Sequence, residues 1–130
     1  MNDETSSKHT GGCQCGAVRF ELEGDPRFVS NCHCLSCRKA TSAAFSTWVG
    51  FKNEQVTWNA ATPGFYASSP DVKRGFCPRC GTPLTYSGKD WDGETHFLIG
   101  AFDHPTSFVP RIEVFTEDAL PWALGRKDSE

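Results

Sequence analysis

Cys77-Pro78-Arg79-Cys80-Gly81 is the stretch on which the fold turns. A Cys-x-x-Cys pair in a tight turn brings two sulfurs to one point. Pro78 favours that turn, and Gly81 can take the positive φ that lets backbone N–H groups face the sulfurs. Two thiolates presented this way are half of a tetrahedral zinc site. Outward along the chain lie two more groups, Cys13-Gln14-Cys15 and Cys32-His33-Cys34-Leu35-Ser36-Cys37, for seven cysteines in all. In an extended segment residues i and i+2 share a face, so Cys-x-Cys also offers paired sulfurs.

An odd number of cysteines cannot close into intramolecular disulfides without a remainder, and a reducing compartment would keep them as thiols. Four thiolates make a closed structural zinc site, whereas three leave the fourth position open. Spacing admits two partitions. Cys34 and Cys37 with Cys77 and Cys80 would make a ribbon-type site and strand Cys13, Cys15 and Cys32. The other partition joins Cys13, Cys15, Cys77 and Cys80 and leaves Cys32, Cys34 and Cys37 as a local trio. Loop-closure entropy favours the second, because a compact trio closes at little cost while the split pairs tie distant parts of the chain together. Two rival readings of the trio stand beside this one. In the first, His33, His96 or His104 completes it as a second structural site. In the second, the cysteines are redox-active, but such motifs open helices in a βαβ setting that this chain lacks.

The rest of the composition agrees with a metal-stapled domain. Across 130 residues the hydrophobic fraction is 38%, below the usual level of about 45–50%, so the core is expected to be thin. A net charge of −3 and a pI near 5.8 oppose an electrostatically driven nucleic-acid or membrane binder. No run approaches the roughly 18 apolar residues of a membrane span, and the polar start lacks the apolar run of a secretory signal. The expected location is the cytoplasm and the expected partner a small molecule or a protein. The domain reading is a polar tail over 1–10, a zinc domain over 11–123 and a polar tail over 124–130.

Strand-length segments alternate or run apolar at Val18–Leu22, Phe45–Phe51, Leu84–Tyr86, His96–Phe102 and Phe108–Phe115. Turn residues separate them, as at Gly24-Asp25-Pro26, Thr62-Pro63-Gly64 and Ser69-Pro70-Asp71. No helix of ten or more residues is expected, and Ser36–Thr41 is the best candidate for a helical turn. The fold class is therefore mostly β.

Three motifs now carry a resemblance: Gly12-Cys13-Gln14-Cys15-Gly16-Ala17-Val18-Arg19-Phe20, Cys32-His33-Cys34-Leu35-Ser36-Cys37-Arg38-Lys39, and Phe76-Cys77-Pro78-Arg79-Cys80-Gly81-Thr82-Pro83-Leu84. With the weaker Ile99-Gly100-Ala101-Phe102-Asp103 and Leu120-Pro121-Trp122, the chain resembles the glutathione-dependent formaldehyde-activating enzyme (GFA) family, also called the centromere-protein-V family. The resemblance implies a small two-zinc β fold of packed antiparallel sheets, the β-tent. It also implies a structural zinc at Cys13, Cys15, Cys77 and Cys80 and a catalytic zinc at Cys32, Cys34 and Cys37. The implied activity is that of a carbon–sulfur lyase, forming or cleaving a thiol–aldehyde adduct such as S-hydroxymethylglutathione. The implied partner is a small-molecule thiol or thiol adduct, with glutathione the named case. Family members commonly carry Gly where this chain has Thr41-Ser42-Ala43-Ala44, and a His-Ile pair where Arg111-Ile112 stands; both departures lie where a substrate pocket could be shaped.

An open three-thiolate zinc suits that chemistry, since a thiol on zinc is deprotonated and strong thiolate donation leaves the metal better at holding a fourth sulfur than at activating water. Proton traffic at the adduct oxygen needs a general acid or base, and His33, Asp103 and His104, with His96, are the candidates by type. Arg38, Lys39, Lys73, Arg74 and Arg79 could bind substrate carboxylates or offset thiolate charge. Trp48, Phe65 and Trp91 are candidates for a pocket mouth. The alternative function is a non-enzymatic zinc module that binds protein or nucleic acid; the incomplete trio and the net charge oppose it.

Overall fold

The computed structural model of the chain describes residues 7–124. In chain order its elements are β1 (Lys8–Gly12), β2 (Val18–Glu23), β3 (Phe28–Cys32), α1 (Leu35–Thr41), β4 (Ser46–Lys52), β5 (Val56–Ala60), β6 (Gly64–Ser69), β7 (Val72–Phe76), β8 (Pro83–Gly88), β9 (Glu94–Leu98) and β10 (Ile112–Val114), with 3-10 turns between. They form a three-stranded sheet, β1-β2-β5, and a seven-stranded sheet, β10-β3-β4-β9-β8-β7-β6. The fold is mostly β, in two packed sheets, as the sequence leads one to expect. Among the described residues no helix is long and apolar enough to cross a membrane.

Alternation explains how the sheets meet. Val18, Phe20 and Leu22 of β2 are wholly buried, as are Val49 and Phe51 of β4 and Phe97 of β9, so each strand turns every second residue to one face. These side chains, with Leu84, Phe102 and Phe108, make one core between the sheets. Phe20 meets Phe97 at 4.7 Å and Phe102 at 5.4 Å between ring centroids, and burying a side chain of this size contributes about 1.5–3 kcal/mol. A single isolated bridge pairs Gly11 of β1 with Phe102, just beyond the 3-10 turn that follows β9.

Several boundaries differ from the sequence reading. Residues 8–10, assigned to the polar tail, pair with β2 from Lys8↔Glu23 onward; β1 is polar and glycine-rich, and its strand form comes from the backbone ladder rather than from its side chains. Residues 1–6 and 125–130 of the two proposed tails lie outside the described residues. The His96–Phe102 strand stops at Leu98, where Ile99–Ala101 coil into a 3-10 turn. Phe108–Phe115 shrinks to Ile112–Val114, and this edge strand runs parallel to β3, unlike every other pairing described. Cys13-Gln14-Cys15 sits in the β1–β2 turn rather than on a strand. The helical turn expected at Ser36–Thr41 falls within α1.

Candidate metal centre and active-site cleft

The seven free cysteines gather in two places: the sulfurs of Cys13, Cys15, Cys77 and Cys80 lie within 4.8 Å of one another, and so do those of Cys32, Cys34 and Cys37. The first cluster is built from two turns. In one, Gly81 takes φ +84°, and the N–H groups of Arg79 and Cys80 point at the Cys77 sulfur at 3.3 and 3.4 Å. In the other, the Val18 N–H points at the Cys13 sulfur at 3.3 Å. Thr82, which sequence reasoning did not single out, links the turns: its hydroxyl accepts from the Gln14 N–H at 3.1 Å and lies 3.1 Å from the Cys80 sulfur. Hydrogen bonds from Thr82 draw the exposed Cys80 thiol down to about 5. N–H and O–H groups aimed at sulfur favour thiolate, the form that binds a metal.

The trio is built from a strand end and a helix start. Cys32 ends β3, and Cys34, still extended, caps α1 by accepting from the Cys37 N–H at 3.3 Å. The sulfurs of Cys32 and Cys34 are 3.5 Å apart. The Cys37 thiol is drawn down to about 5 by its hydrogen bond with Cys32, then by Cys34 and by the charge of Arg74, while the bond with Cys37 and burial push Cys32 up. Donor type and convergence fit zinc at both clusters.

One cleft of about 520 Å³ opens directly on the trio, on the face of the seven-stranded sheet opposite the core. Its floor follows from strand register: Arg74 pairs with Tyr86, Tyr86 with His96, His96 with Gly50, and Gly50 with Phe28, a row across five strands. A Cβ at Gly50 would collide with the Phe28 ring, and that ring lies over the glycine to meet His96 edge-on at 4.7 Å. The next row contains Ser30, Trp48 and Leu98. Cys34 at the N-cap of α1, with Ser36 and Cys37 inside the helix, closes one side, and Ile112, Val114 and Phe115 border another. Arg74 donates to Ser36 Oγ at 3.1 Å and lies 5.1 Å over the Tyr86 ring.

The proton-transfer candidates separate. His33 alternates to the far side of its neighbouring cysteines, is wholly buried, and pairs through Nε2 with Glu113 at 2.7 Å; it does not line the cleft. Asp103 is held by both terminal nitrogens of Arg19 and by Thr10, which keeps its carboxyl below the usual range. His104 is exposed beside Thr10 and Phe102 in a separate groove. His96 does line the cleft, with Nε2 3.1 Å from Glu94, and burial holds its pKa below the ordinary value against the opposing pull of Glu94. Of the cations, Arg74 reaches this cleft and Lys39 lines a second one, while Lys73 sits over Phe65. Trp48 and Trp91 line the cleft; Phe65 does not.

A family model described as glutathione-dependent formaldehyde-activating enzyme matches residues 8–118. An uncharacterized lyase of Schizosaccharomyces pombe is 30% identical over 95 residues, covering 73% of this chain and 67% of that protein. A protein of Halomonas elongata, provisionally named as a glutathione-dependent formaldehyde-activating enzyme, is 27% identical over 121 residues, covering 86% of this chain and 77% of its own. A crystal structure of a Rhodobacter sphaeroides protein superposes with a TM-score of 0.66 at 18% identity over 81% of this chain and 99% of the other; that likeness concerns the fold alone.

Proposed function

The chain belongs to the glutathione-dependent formaldehyde-activating enzyme family, and from that premise we propose that it is a lyase that forms or cleaves the carbon–sulfur bond of a thiol–aldehyde adduct in the cleft beside Cys32, Cys34 and Cys37. The observation that carries the reading is that three converging sulfurs face a cleft, while the other four sit between two turns. S-Hydroxymethylglutathione, the adduct of glutathione and formaldehyde, is the natural first test compound. In this reading Cys13, Cys15, Cys77 and Cys80 would hold a structural zinc and the trio a second one, two per chain, in a cytoplasm that keeps the thiols reduced.

Zinc held by three thiolates would keep a substrate sulfur ionised at neutral pH and offer it a fourth position. The protein's own groups supply the rest. Arg74 offsets the negative charge gathered at Cys37. His96 is the imidazole lining the cleft; held neutral by burial, it can take the proton of the adduct hydroxyl as the carbonyl re-forms and return it in the reverse direction. Glu94, shared with Arg27 at 3.0 Å, orients that ring.

The test is cobalt replacement followed by titration with small thiols, watching thiolate-to-metal absorption. A new band that Cys34→Ser abolishes is the expected result. Absence of any response across the thiols, or of adduct cleavage by the zinc-loaded protein, would remove the lyase reading.

A further inference from the structure

We propose that the thiol or adduct handled in this cleft has an apolar body of aromatic size, in preference to a peptide thiol such as glutathione. The inference rests on the lyase reading above and narrows its substrate class.

Three observations carry it. The first is the lining. Around the trio stand Phe28, Trp48, Tyr86, Trp91, Ile112 and Phe115, and Phe28, Tyr86 and Trp91 box His96 at centroid distances of 4.7, 5.8 and 5.3 Å. A mostly apolar cavity with a few convergent polar groups is the usual form of a small-molecule site.

The second is the charge inventory. Glutathione has two carboxylates and an ammonium group. Among the described lining residues the cleft has one Arg or Lys side chain, Arg74, and no Asp or Glu. Arg74 donates to Ser36 through one terminal nitrogen, lies over Tyr86 and faces the charge of Cys37, while its Nε and other terminal nitrogen have no hydrogen-bond partner, so it can receive one carboxylate and not both. A peptide thiol would therefore leave its second carboxylate and its ammonium group to the hydroxyls of Ser30, Ser36, Ser68 and Ser69 and to the rings and aliphatic side chains of the lining, where lost water is repaid only in part. A second cleft, sharing Arg74 and Ser36 with the first, does offer Lys39, but no cysteine lines it.

The third is the mouth. Trp91, Ile112 and Phe115 are 47%, 46% and 54% exposed, a concentration of large apolar side chains at one rim. Phe115 also holds φ +57°, a left-handed conformation that a bulky L-residue rarely adopts and that is retained where its surroundings dictate it. Apolar surface at a cleft mouth is surface that a matching ligand covers.

The experiment uses the cobalt-loaded full chain and three probes: phenylmethanethiol, glutathione and 2-mercaptoethanol, read by thiolate-to-metal absorption and by fluorescence of Trp48 and Trp91. Phenylmethanethiol should bind at least about tenfold more tightly than glutathione, the increment expected from burying one ring. Trp91→Ala and Phe115→Ala should each reduce that preference several-fold, with the far-ultraviolet circular dichroism and the thiol-free cobalt spectrum of each variant as the control that separates lost ring contact from a damaged fold. Glutathione binding as tightly as phenylmethanethiol, or glutathione binding that Lys39→Gln weakens tenfold, would overturn this inference and leave the lyase reading intact. Failure of all three probes to perturb the metal would bring down both.

Discussion

At the four-sulfur cluster, the sulfurs come from two turns separated by more than 60 residues, Cys15 lying 62 positions before Cys77. At the trio they come from six consecutive residues. The first set is surrounded by backbone: N–H groups of Val18, Arg79 and Cys80 point at sulfur. The second receives its backbone bonds from within the trio, from Cys37 to Cys34 and from Cys34 to Cys32, and otherwise faces a cleft. In the proposed reading, one side-chain type therefore serves two ends. Closing a long loop acts on the stability of the whole chain, whereas a local trio changes what a cleft can hold.

Ligand removal tests this most severely. Cys77→Ser or Cys13→Ser should lower the unfolding free energy of the zinc-loaded protein by about 3 kcal/mol or more, because metal binding energy at a site spanning the chain is folding energy. Cys34→Ser should cost about 1 kcal/mol or less and abolish the response to thiols. Equal losses in urea unfolding would erase the distinction between the clusters. Metal removal should follow the same division. Elemental analysis is expected to give two zinc ions per chain, and mild chelation to leave one with the far-ultraviolet circular dichroism unchanged.

A smaller effect belongs to Thr82, whose hydroxyl ties the two turns together. Thr82→Ala should cost about 1 kcal/mol in stability and leave thiol binding as it was; a change in thiol affinity would mean that the two regions communicate. The smallest effect concerns His96 on the cleft side. Its folded pKa lies below its unfolded value, so the unfolded chain binds the proton more readily and the contribution to stability, full above the unfolded pKa of about 6.5, is lost as pH falls toward the folded pKa. His96→Asn should remove that part of the acid sensitivity in thermal unfolding, and an unchanged profile would assign it instead to carboxylates such as Asp103 and Glu113, both held below their usual range.

Much of this architecture was legible where burial and alternation coincide. Val18–Leu22 and Phe45–Phe51 read as strands because alternate residues enter the core, and the cysteine motifs read as ligand pairs because their spacing is local. The strands that escaped notice, β3, β5, β6 and β7 besides β1, are polar or irregular in sequence; β6 and β7 are held mainly by each other and by β8. For site residues, chemical type was a poor guide to position. His33 adjoins two cysteines in sequence yet alternates away from them, and Asp103 is consumed by Arg19. His96 reached the cleft because cross-strand register, which a linear reading does not contain, aligns it with Tyr86 and Gly50.

The glycine beneath that register has a consequence for descent. A single methyl at position 50 would force the Phe28 ring to shift, and that ring is one wall of the aromatic box, so the residue at 50 bears on the wall at 28. A lineage that replaced Gly50 would have to move the ring at 28 or shrink it. Cleft shape, and the ligands it admits, could thus be reset by a residue that touches no ligand.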